Sequence, residues 1–589
     1  MGPKVRESIT KWLSGVMYVV AVVAVASLVL EYGFSLSRAQ TELLHLVDLA
    51  VVALFILDSL LRLSLARRKL EYLRQHWPSF AIMGLIIAQL AIVFHLQTRG
   101  WMPTFLSARS VFSLTKAYVI VIQAYIVLLI IGQAVKANRG ISSLRIGPAR
   151  TVMLSFMFII VLGALFLMTP RATGDGIAVV DAFFTSTTSV CVTGLVVVDT
   201  GSYFTGFGQG VILVLMQIGG LGLITLTAFF ALVLRRNLGV REGLVLRGML
   251  SFESLGKVGR TLRYMIGITL LLEGAGAAVL FVLTRDDFGR TGEAASRAVF
   301  HSISAFCNAG LSLYSSSFER YADSVPYNLV ITTLIIVGGL GFPVIMNLLG
   351  RRVLVPGQQR DRSRWSLRWS LHSKIVLTMT ATLLVVGTLG FLLLEGNGIL
   401  AGKSFGDKLL ASYFASVTAR TAGFNTVRTA HLALPSLFML AVLMFIGGSP
   451  GGTAGGVKTS TFGIVLASIA STFRGKERVE LFKRRVPDAA VREALVVVAM
   501  GIIVVVAGTF TLLLVEELPL RDVLFEVVSA FGTVGLSTGV TASLSATGKV
   551  ALMLIMLTGR IGPLTLALAI GEREVKPLYD YPRERVVIG

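Results

Sequence analysis

Long apolar runs broken by short polar stretches dominate this chain. Four runs, at 12–31, 43–65, 79–97 and 110–135, precede residue 150. Each is close to the roughly 20 residues that cross a bilayer core as a helix. From about residue 150 one unit is written four times: an apolar run, a polar break ending on a glycine, and a second apolar run. The first copy spans 152–169, 181–195 and 208–234, the second 264–284, 297–311 and 327–350. The third spans 375–394, 407–423 and 435–470, the fourth 493–514, 522–536 and 549–570. The glycines are Gly194, Gly310, Gly423 and Gly535, which recur at nearly one period. An aromatic stands at the same short distance before each: Phe184, Phe300, Tyr413 and Phe525. The expected architecture is an all-α polytopic membrane protein. Four tandem helix–pore loop–helix repeats surround one pore, and a four-helix transmembrane bundle precedes them. Twelve spans leave both termini on the same side.

Composition agrees with a membrane protein: 54% of the 589 residues are hydrophobic and 15% charged, with a mean hydropathy of +0.79. The net charge of +22 raises nucleic acid as a partner, and its distribution excludes it. Basic residues gather in alternate loops, at Arg67, Arg68 and Lys69, at Arg235, Arg236 and Arg241, at Arg351 to Arg368, and at Lys483 to Arg485. That is the positive-inside pattern of a cell-membrane protein with cytoplasmic termini, and anionic membrane lipid is the expected contact. The first run follows Lys4, Arg6 and Lys11 and exceeds a signal-peptide core, so it is expected to be a retained helix. Cys191 and Cys307 form no CxxC pair and are expected to be small buried thiols. The six histidines form no HExxH pattern, and no nucleophile constellation is evident, so the chain is not expected to be an enzyme.

A cation crosses hydrocarbon only where something replaces its water shell, and inward-facing backbone carbonyls can do so. The required dihedrals suit glycine. Aligned on the glycine, the candidate ion-binding segments are Val192-Thr193-Gly194, Asn308-Ala309-Gly310, Thr421-Ala422-Gly423 and Thr533-Val534-Gly535. The last is close to the potassium-filter string TVG. A short helix is expected before each glycine, with Asp181 and Asp522 as candidate N-caps. The negative end of each helix would then face the pore axis. Arg420 is expected to brace its loop by hydrogen bonds, and Glu273 to be a hydrogen-bonded packing residue.

In the third copy alone the second apolar run is interrupted, by Gly447, Gly448, Ser449, Pro450, Gly451, Gly452, Thr453, Ala454, Gly455 and Gly456, with Lys458 following. Proline and repeated glycine cannot hold a helix. The interruption follows Gly423 by almost the same length of chain as separates Arg560 from Gly535. Both therefore belong beneath the filter, where a guanidinium needs partners and loop carbonyls could supply them. A phosphate-binding loop does not fit, because Val457 intrudes before Lys458 and no strand precedes the segment.

Specific strings carry a family resemblance over residues 150–589: Thr187-Thr-Ser-Val-Cys-Val-Thr-Gly-Leu195, Gln217-Ile-Gly-Gly-Leu-Gly222, Ala419-Arg-Thr-Ala-Gly-Phe-Asn425 and Gly559-Arg-Ile-Gly-Pro-Leu-Thr565. The chain resembles the Trk/Ktr/HKT superfamily of potassium transporters, most closely the Ktr membrane subunit. The resemblance implies potassium as substrate, sodium as a candidate activator, no cofactor in this chain, a homodimer and a cytosolic nucleotide-binding regulatory subunit. It implies an intramembrane gating loop at 447–456, and dimer contacts by the ending Tyr581 to Gly589. In this superfamily a serine at the first filter glycine accompanies sodium permeation, so glycine at all four positions implies potassium selectivity. Expected domains are a bundle at 1–145 and a transport domain at 146–589, with repeats at about 150–240, 260–350, 373–472 and 490–570. The bundle resembles the sensor module of voltage-gated channels around Asp58 and Arg62. Its fourth run carries only Arg109 and Lys116, too few for voltage sensing, and Asp48, Asp58 and Arg62 are expected to pair inside the bundle. Two alternatives remain: a self-contained cation channel governed by the bundle, and the ion-binding subunit of a potassium-transporting ATPase.

Overall fold

The computed structural model describes residues 37–65, 69–75, 148–234, 258–349 and 369–570, with isolated positions between 13 and 34 and at Phe80 and Gly84. The third and fourth apolar runs, Arg109 and Lys116 lie outside the described residues except for Phe80 and Gly84. So do the basic loops at 235–257 and 350–368 and the ending Tyr581 to Gly589.

Before residue 148, α1 (Arg38–Leu65) and α2 (Lys69–Gln75) are described. Arg62 Nε donates to both carboxylate oxygens of Asp58 at 2.8 Å, one helical turn away. The N-terminal part touches the next unit where Arg171 N donates to Gly33 O at 3.0 Å.

Four sets of helices follow, each a long apolar helix, a short buried helix and a broken helix. The first set is α3 (Pro148–Leu167), α4 (Val179–Cys191) and α5 (Gly206–Leu234). The second is α6 (Val258–Thr284), α7 (Thr291–Cys307), α8 (Val325–Leu340) and α9 (Phe342–Leu349). The third is α10 (Leu371–Glu395), α11 (Phe405–Thr418), α12 (Leu434–Phe445) and α13 (Thr459–Phe473). The fourth is α14 (Asp488–Val515), α15 (Leu520–Gly532), α16 (Ala546–Ile561) and α17 (Pro563–Ile570). A two-stranded hairpin, β1 (Glu480–Leu481) and β2 (Arg484–Arg485), joins the last two sets.

Local chemistry starts several of these helices. Ser370, Ser404 and Ser545 accept from the amides of Ser373, Asp407 and Gly548 at 3.1, 3.2 and 3.1 Å, the usual use of an N-cap hydroxyl. Asp181 and Asp522 depart from expectation. The caps of α4 and α15 are Ala178 and Pro519, without a side-chain bond. Each acid falls in the first turn instead. Asp181 pairs with Lys549 at 2.6 Å and so ties the first set to the fourth. Asp522 pairs with Arg521 at 3.4 Å.

The long helices turn large apolar side chains outward: Leu271 is 70%, Leu393 84% and Leu514 71% exposed. Apolar side chains displayed on every long helix suit hydrocarbon surroundings. Among the described residues, three unbroken helices are long and apolar enough to cross a membrane: Tyr264–Asp287, Leu371–Glu395 and Asp488–Val515. α8 and α9 meet this test as a pair bent by 98°.

That bend corrects the expectation that only the third set is interrupted. α5 has a non-helical residue at Gly222 (φ +74), α8 and α9 part at Gly341 (φ +83), and α16 and α17 part at Gly562 (φ +92). These glycines follow Gly194, Gly310 and Gly535 by similar lengths of chain. Only glycine enters that backbone region at little cost, so one residue ends the helical path in each set. The third set differs in degree, its break being widened into the loop 447–456.

Candidate functional site

The short helices α4, α7 and α15 end in left-handed caps that are themselves candidate residues: Val192 (φ 56), Asn308 (φ 57) and Thr533 (φ 50). Thr421 has the same hand at φ 74, and the four glycines follow with φ of +92, +69, +77 and +94. The middle residues, Thr193, Ala309, Ala422 and Val534, lie outside that region. Such alternation turns successive peptide planes so that their carbonyls share a side.

The structure brings the four segments together as a closed ring. A Cβ placed on Gly194 would lie 2.6 Å from Ala309 O and 3.0 Å from Gly310 Cα. On Gly310 it would lie 2.7 Å from Ala422 O, and on Gly423 it would lie 3.1 Å from Gly535 Cα. On Gly535 it would lie 2.8 Å from Gly194 Cα, which closes the circle. At each position a Cβ would crowd the backbone of the neighbouring segment, so a side chain there displaces the ring.

Most amides of the ring are bonded behind it. Thr193 N, Ala309 N, Ala422 N and Val534 N donate to Thr188 O, Ser304 O, Thr418 O and Ser529 O at 2.8–2.9 Å. Thr188 Oγ1 and Ser529 Oγ accept from Gly194 N and Gly535 N at 2.9 and 3.0 Å. Ser304 Oγ and Thr418 Oγ1 donate to Leu311 O and Phe424 O at 2.7 and 2.6 Å. Sequence reasoning missed these four hydroxyls, although a serine or threonine five or six residues before each glycine is visible. Among the described residues no protein donor reaches the carbonyl oxygens of the twelve segment residues. Ten of the twelve are buried, eight of them at most 1% exposed, and Gly310 and Gly535 are half-buried. Buried carbonyls normally have a donor, so those of the ten buried residues are left for something other than protein.

Above the ring all four glycines line one cavity of about 350 Å³, with Asp199, Glu319 and Arg428 at its walls. Asp199 accepts from Ser202 N and Oγ, both at 2.7 Å. Burial pushes its carboxyl up, but bonds from Ser202, Ser315 and Gly201 outweigh that and hold it below the usual carboxylate range.

Below the ring the interrupted segment closes on itself and reaches the second and fourth sets directly, and the first through Arg560. Its neck is fixed by Gly447 N to Val457 O at 2.9 Å and Val457 N to Phe445 O at 3.2 Å. Ser449 N donates to Gly339 O at 3.0 Å, Thr453 N to Gly338 O at 3.3 Å, and Phe342 N to Gly451 O at 3.1 Å. A Cβ on Gly341 would come within 2.8 Å of Pro450 O and 3.0 Å of Gly452 N, so the tip of the loop fills the break between α8 and α9. Thr459 N donates to Gly448 O at 2.9 Å and Gly456 N to Gly559 O at 3.3 Å. Gly455 lies directly against the Thr533 side chain.

The cations of this region all hold backbone oxygens. Arg560, 6% exposed, donates through Nη1 to Thr453 O and through Nη2 to Gly219 O. Lys458 Nζ donates to Ala454 O at 2.5 Å, and Arg420 Nη2 to Gly447 O at 3.3 Å. Arg560 thus links the loop to the broken α5. Glu273 accepts from Gln217 Nε2 at 3.1 Å on each carboxylate oxygen, close in the chain to Gly219. Cys191 and Cys307 are buried free thiols.

Comparison with known proteins agrees with this geometry. The family model TrkH, described as a cation transport protein, matches residues 119–574. Ktr system potassium uptake protein B of Bacillus subtilis is 35% identical over 455 residues, 77% of this chain and 99% of the relative. The protein of the same name from Vibrio alginolyticus is 36% identical, covering 75% of this chain and 95% of the relative. Potassium/sodium uptake protein NtpJ of Enterococcus hirae is 33% identical, covering 76% and 98%. The crystal structure of the potassium transporter TrkH from Vibrio parahaemolyticus has the same fold, with a TM-score of 0.61 at 18% identity, covering 84% of this chain and 97% of that one. The chain belongs to the TrkH family of cation transport proteins.

Proposed function

We propose that this chain is a potassium uptake protein of the cell membrane. In this reading the four helix sets surround one conduction path, and Val192 to Gly194, Asn308 to Gly310, Thr421 to Gly423 and Thr533 to Gly535 form its selectivity filter. The observation that carries it is the ring of buried carbonyls without protein donors, lying at the ends of four buried helices. Carbonyl dipoles replace the hydration shell of a potassium ion, and each helix C-terminus adds partial negative charge. Relatives that cover most of this chain are named as potassium uptake proteins, which supports the choice of cation.

The loop 447–456 and Arg560 act as the gate. The loop crosses beneath the ring, and the guanidinium places positive charge where an emerging potassium ion would pass. The broken inner helices supply the unsatisfied backbone groups that hold the loop, an arrangement tolerated at membrane depth only where it is buried in protein or lines water. The chain works as a homodimer under a cytosolic nucleotide-binding subunit, in keeping with its likeness to Ktr membrane subunits. Expression in a host lacking its own potassium uptake tests the reading. Growth at low potassium and uptake of the ion are expected. Absence of uptake with the protein verified in the membrane contradicts it.

A further inference from the structure

The four ring segments are not held in the same way. α4, α7 and α15 run straight into their segments, because the left-handed helix cap is itself the first segment residue. α11 stops at Thr418, and Ala419 and Arg420 intervene before Thr421. The third segment therefore lacks the direct helical anchor of the other three.

A side chain from the second segment takes its place. Asn308 is 1% exposed and Thr421 0%. With its amide turned to satisfy all its neighbours, Asn308 Nδ2 donates to Ala305 O at 3.1 Å and Ile335 O at 3.2 Å, and Oδ1 accepts from Thr421 Oγ1 at 3.1 Å. One amide thus joins the short helix α7, the inner helix α8 and the neighbouring segment. Among the described residues this is the only side-chain hydrogen bond linking two of the four segments. The hydroxyls of Thr193 and Thr533 have no protein partner. Val192, at the matching place in the first segment, has none to offer.

We infer that the Asn308 side chain is a positioning residue for ion selection, through its bond to the Thr421 hydroxyl. The bond staples the seam between the second and third segments and fixes the ring's width at its inner end. A cage of fixed width holds carbonyls at the spacing of a dehydrated potassium ion, whereas a seam free to close also accommodates the smaller sodium ion. The inference rests on the filter reading above.

The test is a double-mutant cycle on relative potassium and sodium uptake by the full chain, at matched membrane levels. Asn308→Ala and Thr421→Val each lower the potassium-to-sodium ratio by roughly two- to ten-fold, the range of one net hydrogen bond. The double variant falls no further than the worse single one, because both remove the same bond. Thr421→Ser, which keeps the hydroxyl, recovers most of what Thr421→Val loses. Ratios that stay at the parental value, or losses that multiply in the double variant, overturn the staple. Gly194→Ser serves as the control. If it lowers the ratio while the staple variants do not, the filter stands and the staple falls. If none of them moves the ratio, the filter reading itself fails.

Discussion

At the scale of the residue, two kinds of position build the candidate site, and the sequence disclosed them unequally. The four glycines were legible from their spacing alone, because at each ring place a Cβ would crowd the backbone of the neighbouring segment. The hydroxyls behind the ring were not. Thr188 and Ser529 cap glycine amides while Ser304 and Thr418 hold carbonyls, so no single pattern marks them. Asp181 misled for a related reason. An acid near a helix start fits a cap, yet tertiary contact with Lys549 claims it. Asp199 carries a prediction at this scale. Its folded carboxyl titrates below the ordinary 3.8, so its stabilising bonds are present above that value and fade as pH falls through the folded one. Its charge at the outer cavity is thus constant between about pH 5 and pH 8. The uptake rate of Asp199→Asn relative to the parent protein should be flat across that range, and a ratio that changes with pH would count against this placement.

At the scale of the element, the inner helices determine what the site can do. The interruption 447–456 was evident from its proline and glycines. The single breaks at Gly222, Gly341 and Gly562 were hidden, since one glycine in an apolar run is ordinary in a helix that packs closely. Their left-handed backbone appears only in three dimensions. These breaks let the loop bond to Gly338 O and Gly339 O and bring Gly219 O to Arg560. Removing the guanidinium frees Thr453 O and Gly219 O and removes a positive charge from the proposed path. Arg560→Ala, or deletion within Gly448 to Gly455, should raise potassium flux at equal expression. Loss of a charged hydrogen bond of about 1.5–3 kcal/mol would make the rise about ten-fold or more. Unchanged or lower flux in both variants would remove the loop from the gate.

At the scale of the whole molecule, four unequal sets share one ring. The ring closes through near-identical glycine contacts, while the bonds beneath it differ in every set. In the proposed reading, selection is therefore close to fourfold, and gating is not. The long-range order of the sets was legible because the repeat length recurs. The pairing across seams, Asp181 with Lys549 and Asn308 with Thr421, was not, since those partners lie 368 and 113 residues apart. The central claim is that the glycine ring selects potassium. It is tested most directly by reconstituting the full chain in liposomes and measuring passive potassium and sodium flux, with Gly194→Ser alongside. Potassium flux should exceed sodium flux in the parent protein, and the difference should narrow in Gly194→Ser. Equal fluxes in the parent, or an unaltered ratio in the variant, would contradict the account.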